Sequence, residues 1–284
     1  MLLFFKLIRL SQWQKNFLIF LPLIMANEYE VFNINKSIVG FLIFSIAASA
    51  VYIFNDLADL PKDKIHPSKK RRPLASGAIS VKKALIILFF FLTTTIYFGF
   101  INKVLSILLL YFLLNIFYSL IIKKIRYLDI ILLSSFYIIR IYFGGKIYDV
   151  EISLWLYIFC YLAFISLVIL KRVNEIKKYN LTKILYSSND LGTLKIILNS
   201  SNSFSVLFIM SYFLSEKVSK IYATPSLLWM ILPLYIFWML NINKAALSGK
   251  MNDDPVNFVV SNSKSYITIL LMGIVILCAQ FVRL

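Results

Sequence analysis

Residues Asn55 to Gly77 read NDLADLPKDKIHPSKKRRPLASG, which places three carboxylates and six Lys/Arg residues directly behind an unbroken apolar run. Carboxylates leaving a hydrophobic helix suit Mg²⁺, a hard cation that takes oxygen ligands, and the basic run just beyond can neutralise phosphate oxygens. The ligand this combination fits is a metal-bound diphosphate. In a helix Asp56, Asp59 and Asp63 stand at i, i+3 and i+7, one stripe facing one way. Pro61 has no N–H and clashes with the carbonyl of Leu57, so the helix is expected to kink or end there. Asp56 and Asp59 are therefore the expected metal ligands, with Asn55 and Asp63 beside them as ligand-binding candidates. A loop whose charges only enforce topology would explain Lys64, Lys70 and Lys82. It would not explain the acids, which contribute little to orientation and are costly at the end of a buried span.

Other polar residues interrupt apolar sequence. Gln12 and Asn16 are at i, i+4 with Lys15 adjacent, so one helical patch can offer amide and ammonium donors to a ligand; an interfacial anchor is the competing reading. Asp129 either supports a neighbouring ligand residue or caps the span that follows it. Arg140 lies ~16 Å farther along that span and must pair or face a polar cavity. Tyr118 sits near the inner end of its span with Ser119, whose hydroxyl is expected to bond back to its own helix. His66, the single histidine, precedes Pro67 and is a candidate for a hydroxyl or phosphate contact. Asp253 and Asp254 approach a metal or sugar, or simply form the turn before Pro255.

The elements that must position these residues are membrane spans. Sixty per cent of the chain is hydrophobic, and mean hydropathy is +0.82. Apolar runs near the length needed to cross ~30 Å of hydrocarbon recur throughout. They predict an all-α polytopic membrane protein with nine transmembrane helices, near 4–25, 37–57, 84–101, 104–122, 128–147, 152–170, 197–215, 224–241 and 265–282. The seventh has the shortest apolar core, because it opens with Asn199, Ser200, Ser201, Asn202 and Ser203. With the N-terminus inside, 23 of the 30 Lys/Arg residues fall in inner segments, so the positive-inside rule gives N-in and C-out. That distribution accounts for the net charge of +17 without nucleic acid. Cys160 and Cys278 lie in apolar spans with no CxxC or His spacing and read as small hydrophobes. The first apolar run has basic flanks, but it carries Pro22 and lacks a small-x-small cleavage site, so it is expected to stay as span one. No inner loop has room for a soluble domain, and 1–284 reads as a single transmembrane domain.

Asn55-Asp56-x-x-Asp59-x-x-x-Asp63 followed by Arg72-Pro73-Leu74-x-x-Gly77 resembles the first aspartate-rich motif of the UbiA superfamily of intramembrane prenyltransferases. The resemblance implies a nine-helix bundle that uses Mg²⁺ to bind a diphosphate. Within that superfamily, His66-Pro67-x-Lys69-x-x-Arg72-Pro73 is more similar to the decaprenyl-phosphate phosphoribosyltransferase branch than to the aromatic-acceptor branch. Further similarity lies in Arg9-x-x-Gln12-Trp13-x-Lys15-Asn16, Tyr118-Ser119 with Lys123, Leu128-Asp129 with Arg140, and Lys171-Arg172-x-x-Glu175. Typical members carry a second DxxxD-type motif after span six, where this chain has KRVNEIKKY. A single acid, Glu175, beside Lys171 and Arg172 suits an additional phosphate better than a second Mg²⁺ cluster.

What the resemblance implies is transfer of phosphoribose from phosphoribosyl diphosphate to a polyprenyl phosphate at the cytoplasmic face of the inner membrane, for cell-envelope polysaccharide precursors. Lys69 and Arg72 would neutralise the leaving pyrophosphate alongside Mg²⁺ on Asp56 and Asp59. The alternative is prenyl transfer from a prenyl diphosphate to an aromatic acceptor. A channel or transporter predicts ionisable residues through several spans, whereas here all but Arg140 lie near span ends. No feature of the sequence specifies an oligomeric state.

Overall fold

The computed structural model describes residues 2–66, 69–179, 185–251 and 254–283. Pro67, Ser68, Lys183 and Asp253 lie outside the described residues. Every regular element described is helical: α1 (Leu2–Leu7), a 3₁₀ helix (Leu10–Phe20), α2 (Leu21–Ala26), α3 (Val31–Ala58), α4 (Leu60–Ile65), α5 (Val81–Ile101), α6 (Leu105–Leu120), α7 (Leu128–Ile147), α8 (Leu154–Tyr179), α9 (Leu191–Phe213), α10 (Glu216–Ile221), α11 (Ile231–Leu247), α12 (Pro255–Ser261) and α13 (Ser263–Phe281), with short 3₁₀ turns between some of them. Among the described residues eight helices are long and apolar enough to cross a membrane, and they overlap the second to ninth expected spans. Large apolar side chains such as Phe89, Phe90, Phe100 and Leu113 point outward at more than 60% exposure. That is the surface a lipid solvent requires.

The segment expected to be the first span differs. Instead of one helix over 4–25, the chain forms α1, the 3₁₀ helix and α2 in succession, broken at Arg9, whose φ of 51° is left-handed. The reason is polar: the Arg9 guanidinium is drawn to Asp56 and lies over the Tyr52 ring, 4.8 Å from its centroid. Ser11 to Asn16 then supply six residues too polar to continue an apolar helix. The weak seventh segment, by contrast, is a full helix, α9, on which Ser201, Asn202 and Ser205 are buried against protein while Asn199, Ser200 and Ser203 stay exposed. Ser201 meets Ser166 of α8 at 3.0 Å, and Ser205 meets Tyr235 of α11 at 2.9 Å.

The chain divides into two compact units. The first comprises Met1–Ile24, Glu28–Lys123 and Ile139–Glu151. Its hub is α3, which buries Ala47, Ala48, Ala50, Ser45 and Ser49. Small residues let neighbouring helices approach closely where dispersion and hydrogen bonds, not water, drive association. Closest approach occurs at Gly144, where a Cβ would stand 2.2 Å from the Ile19 carbonyl oxygen, so only glycine fits. The second unit comprises Met25–Asn27, Lys124–Ile138 and Ile152–Leu284. There α8 packs against α9, with α11 alongside, over a core that includes Leu167, Ile169, Val173, Leu194 and Ile242.

Candidate active site

In the first unit the acidic stripe sits where α3 gives way to α4. Asp59 closes α3 with φ −92° and ψ 4°, and Pro61 occupies the first turn of α4, so the break expected from Pro61 falls at Asp59. The break separates the acids. Asp56 (3% exposed) and Asp63 (2%) are buried and share one cation: Arg72 Nη1 lies 3.0 Å from Asp56 Oδ1 and 2.6 Å from Asp63 Oδ2. Arg9 Nη2 reaches the same Asp56 oxygen at 2.5 Å. Asp59 is turned instead to Lys123, whose Nζ donates to both carboxylate oxygens at 3.1 Å. Asn55 Oδ1 accepts from Ser119 Oγ at 2.6 Å, so that hydroxyl leaves its own helix for α3. Three carboxylates therefore face three cations, a preformed neutral cluster.

Behind this cluster lies a second polar layer. Asn16 (1% exposed) donates to Ser45 Oγ at 2.9 Å and accepts from Arg140 Nε at 2.8 Å, while Arg140 also donates to Tyr111 Oη at 3.3 Å. The Arg140 guanidinium stands over the rings of Phe44 and Tyr111, 5.2 and 5.5 Å from their centroids. Arg140 thus finds the partners that its depth demands. Trp13 Nε1 donates to Ser49 Oγ at 3.0 Å and fastens the same 3₁₀ segment to α3. Because 3₁₀ geometry aligns i with i+3, Asn16 and the half-buried Trp13 share the row that bonds to α3, and Gln12 with Lys15 forms a different, half-buried row. The single Gln12–Lys15–Asn16 patch expected from α-helical spacing is divided in two. Tyr118 is half-buried, Lys69 is half-buried on a 3₁₀ turn, and the exposed His66 accepts through Nδ1 from the Lys69 amide at 3.3 Å.

The second unit holds a separate network. Asp129 (0% exposed) lies inside the first turn of α7, not at its cap. Its Oδ2 accepts from Arg172 Nε at 2.9 Å and Nη2 at 2.8 Å, and its Oδ1 accepts a very short hydrogen bond from Tyr186. Glu175 takes the remaining side of Arg172 through Nη1 at 2.7 Å. Burial, with the bond to Asp129, holds the Tyr186 phenol above the usual tyrosine range, so it stays a neutral donor. Lys171 is half-buried and Lys177 and Lys178 are exposed. Asp254 caps α12 by accepting from the Val256 amide at 3.0 Å, as the turn before Pro255 requires.

Arg9, Tyr111 and Tyr186 are the site residues that sequence reasoning passed over. Arg9 opens the motif that continues to Asn16, which was a usable signal; Tyr186 had none.

Among the described residues no group of three or more His, Cys, Asp or Glu side chains is placed to hold a metal ion by itself. The donors present still fit Mg²⁺ in its usual protein mode, in which one or two carboxylates act together with substrate phosphates and water. Asp56 and Asp59 would hold it, with Arg9, Arg72 and Lys123 exchanging their carboxylates for phosphate oxygens.

A model of the UbiA prenyltransferase family matches residues 16–250. The chain belongs to that family. Consistent with UbiA membership, it superposes on a UbiA homologue from Archaeoglobus fulgidus bound to GPP and Mg²⁺ with a TM-score of 0.70, at 18% identity and covering 97% of both chains, a likeness of fold. An uncharacterised protein of Sinorhizobium fredii, y4nM, is 30% identical over 270 residues, 91% of this chain but 52% of that protein. Decaprenyl-phosphate phosphoribosyltransferase of Corynebacterium glutamicum is 30% identical over 157 residues, 53% of this chain and 47% of the relative. The chain thus spans about half the length of these two relatives. With its apolar helices, UbiA membership makes it a multi-pass membrane protein.

Proposed function

We propose that this UbiA-family protein transfers 5-phosphoribose from phosphoribosyl diphosphate to a polyprenyl phosphate with release of pyrophosphate. We place the reaction at the cytoplasmic face of the inner membrane, in an N-in, C-out chain of nine spans that works as one domain over 1–284. The broken N-terminal segment is the first of these spans. The observation that carries the choice of donor is the bonding of Glu175. It is the single acid in the second motif, and it is engaged by Arg172, which leaves that motif without the carboxylate pair that would hold a second metal on a prenyl diphosphate. The partial similarity to the Corynebacterium glutamicum phosphoribosyltransferase points the same way.

In this reading Asp56 and Asp59 receive the donor's diphosphate with Mg²⁺, which when bound offsets charge building on the leaving pyrophosphate. Arg9, Arg72 and Lys123 are already held beside these acids. They need to move little to reach phosphate oxygens, the preorganisation that makes electrostatic stabilisation effective. Lys69 adds a further cation. Asn55, Asp63, His66, Gln12, Lys15 and Tyr118 line the donor and acceptor, and Asn16 and Arg140 hold the segment that carries Lys15. The donor's 5-phosphate is assigned to Lys171 and Arg172, with Arg172 exchanging Glu175 for it. The acceptor phosphate is ionised at neutral pH, so its oxygen attacks the anomeric carbon without a strong general base.

Purified protein with Mg²⁺ is given labelled phosphoribosyl diphosphate and a polyprenyl phosphate, and in parallel a labelled prenyl diphosphate and an aromatic acid. Label is expected in the lipid extract of the first mixture only. Label on the aromatic acid, with none from the phosphoribosyl donor in lipid, replaces this function with prenyl transfer. Lys171→Ala and Arg172→Ala should weaken donor binding more than lipid-phosphate binding.

A further inference from the structure

The first unit carries a second cationic site at its other end. On α3, Lys36 and Asp56 stand 20 residues apart, ~30 Å along one helix and so about the thickness of the hydrocarbon core. Around Lys36 opens a cavity of about 640 Å³, within the size range of ligand pockets. Lys103 and Lys146 line it too, with Asn102, Tyr142 and a single carboxylate, Asp149.

Ordinary topology does not explain this grouping. The nine-span reading leaves six Lys/Arg residues on this face, and three of them meet in one cavity contributed by three separate helices or turns. The backbone commits two of the charged residues to the rim. Helices α5 and α7 both end in the same left-handed turn: Val104 N–H bonds Gly99 O at 2.9 Å, and Val150 N–H bonds Gly145 O at 2.8 Å. The left-handed residue is Lys103 (φ 57°) in one and Asp149 (φ 59°) in the other, where glycine is usual. Lys146 Nζ lies 5.9 Å from the Tyr142 ring centroid, which directs that ammonium toward the same lining.

We infer that Lys36, Lys103 and Lys146 form a binding site for a terminal phosphate group, as in a monoester or free phosphate, on the membrane face opposite the Asp56 carboxylates. Three ammonium groups against one carboxylate leave a positive surplus that matches the charge of ~−1.5 to −2 on a monoester near neutral pH. The phosphate comes from a lipid headgroup at the bilayer surface or from free phosphate, and the site is independent of the transfer reaction proposed above.

Amine-reactive footprinting of the full chain in detergent and phosphate-free buffer tests this. The acetylation rates of Lys103 and Lys146 are read by mass spectrometry, with Lys217 of α10 as the control. The probes are short-chain phosphatidic acid, inorganic phosphate and phosphatidylcholine. Phosphatidic acid at about ten times its Kd should slow both lysines by about tenfold, while Lys217 and the phosphatidylcholine sample stay unchanged. Lys36→Ala should remove most of the protection and leave transfer activity unaltered. Equal protection by inorganic phosphate identifies a soluble anion as the ligand, and protection by phosphatidic acid alone identifies a lipid. No protection by either, or equal slowing of Lys217, overturns the site.

Discussion

Arg9 and Asp56 are 47 residues apart in sequence and 2.5 Å apart in the structure. Their ion pair explains both the broken N-terminal segment and the survival of a carboxylate that is only 3% exposed. A buried acid with a missing partner is strongly destabilising, and Arg72 on the same oxygen shares the burden.

Loss of the acids should silence the proposed transfer without unfolding the protein. Asp56→Asn or Asp59→Asn is expected to lower kcat/KM by at least about 10²-fold, the scale for removing one preorganised electrostatic group. Circular dichroism and elution volume should remain those of the parent. Asp63→Asn should cost less, because Asp63 acts through Arg72. Full turnover in both Asp56 and Asp59 variants at saturating Mg²⁺ would remove them from the metal site.

Metal removal gives a second check. Dialysis against EDTA should abolish transfer, and excess Mg²⁺ should restore it, with the melting temperature little changed because the acids keep Arg9, Arg72 and Lys123 as partners. Activity that persists through chelation contradicts the metal assignment.

A double-mutant cycle isolates the Arg9–Asp56 pair. Arg9→Ala and Asp56→Asn in one chain should destabilise less than the sum of the single changes, with a coupling of roughly 0.5–3 kcal/mol in detergent unfolding. Strict additivity would show that the pair is not energetically joined.

Arg140 should act through structure. Arg140→Met leaves the Asn16 carbonyl oxygen buried without its guanidinium donor, at a cost of about 1–3 kcal/mol, whereas replacing both partners with apolar groups of similar shape is closer to neutral. Asn16→Leu combined with Arg140→Met should therefore recover part of the stability lost by Arg140→Met alone. A normal melting temperature with a raised KM in Arg140→Met would instead place Arg140 on the substrate.

Orientation is accessible to fusion reporters. One inserted after Arg72 or Lys178 should read cytoplasmic and one fused after Leu284 extracytoplasmic. A cytoplasmic C-terminus would mean that the broken segment over 2–26 does not cross.

The sequence by itself determined the membrane class, the eight long apolar helices found among the described residues, the three acids at the end of α3 and the break beside Pro61. Each follows from local properties: apolar run length, charge placement and the missing proline N–H. Tertiary structure decided who faces whom. Asp59 turns to Lys123 across 64 residues, Asn16 meets Arg140 across 124, and Asp129, which the sequence left between supporting a neighbour and capping its helix, takes Arg172 and Tyr186. Hydropathy gave a continuous first span because it averages over the polar stretch from Ser11 to Asn16. What breaks that span is a guanidinium drawn to a carboxylate on another helix. Ion pairs and 3₁₀ geometry of this kind depend on distances that exist only once the helices have packed, so no window along the chain contains them.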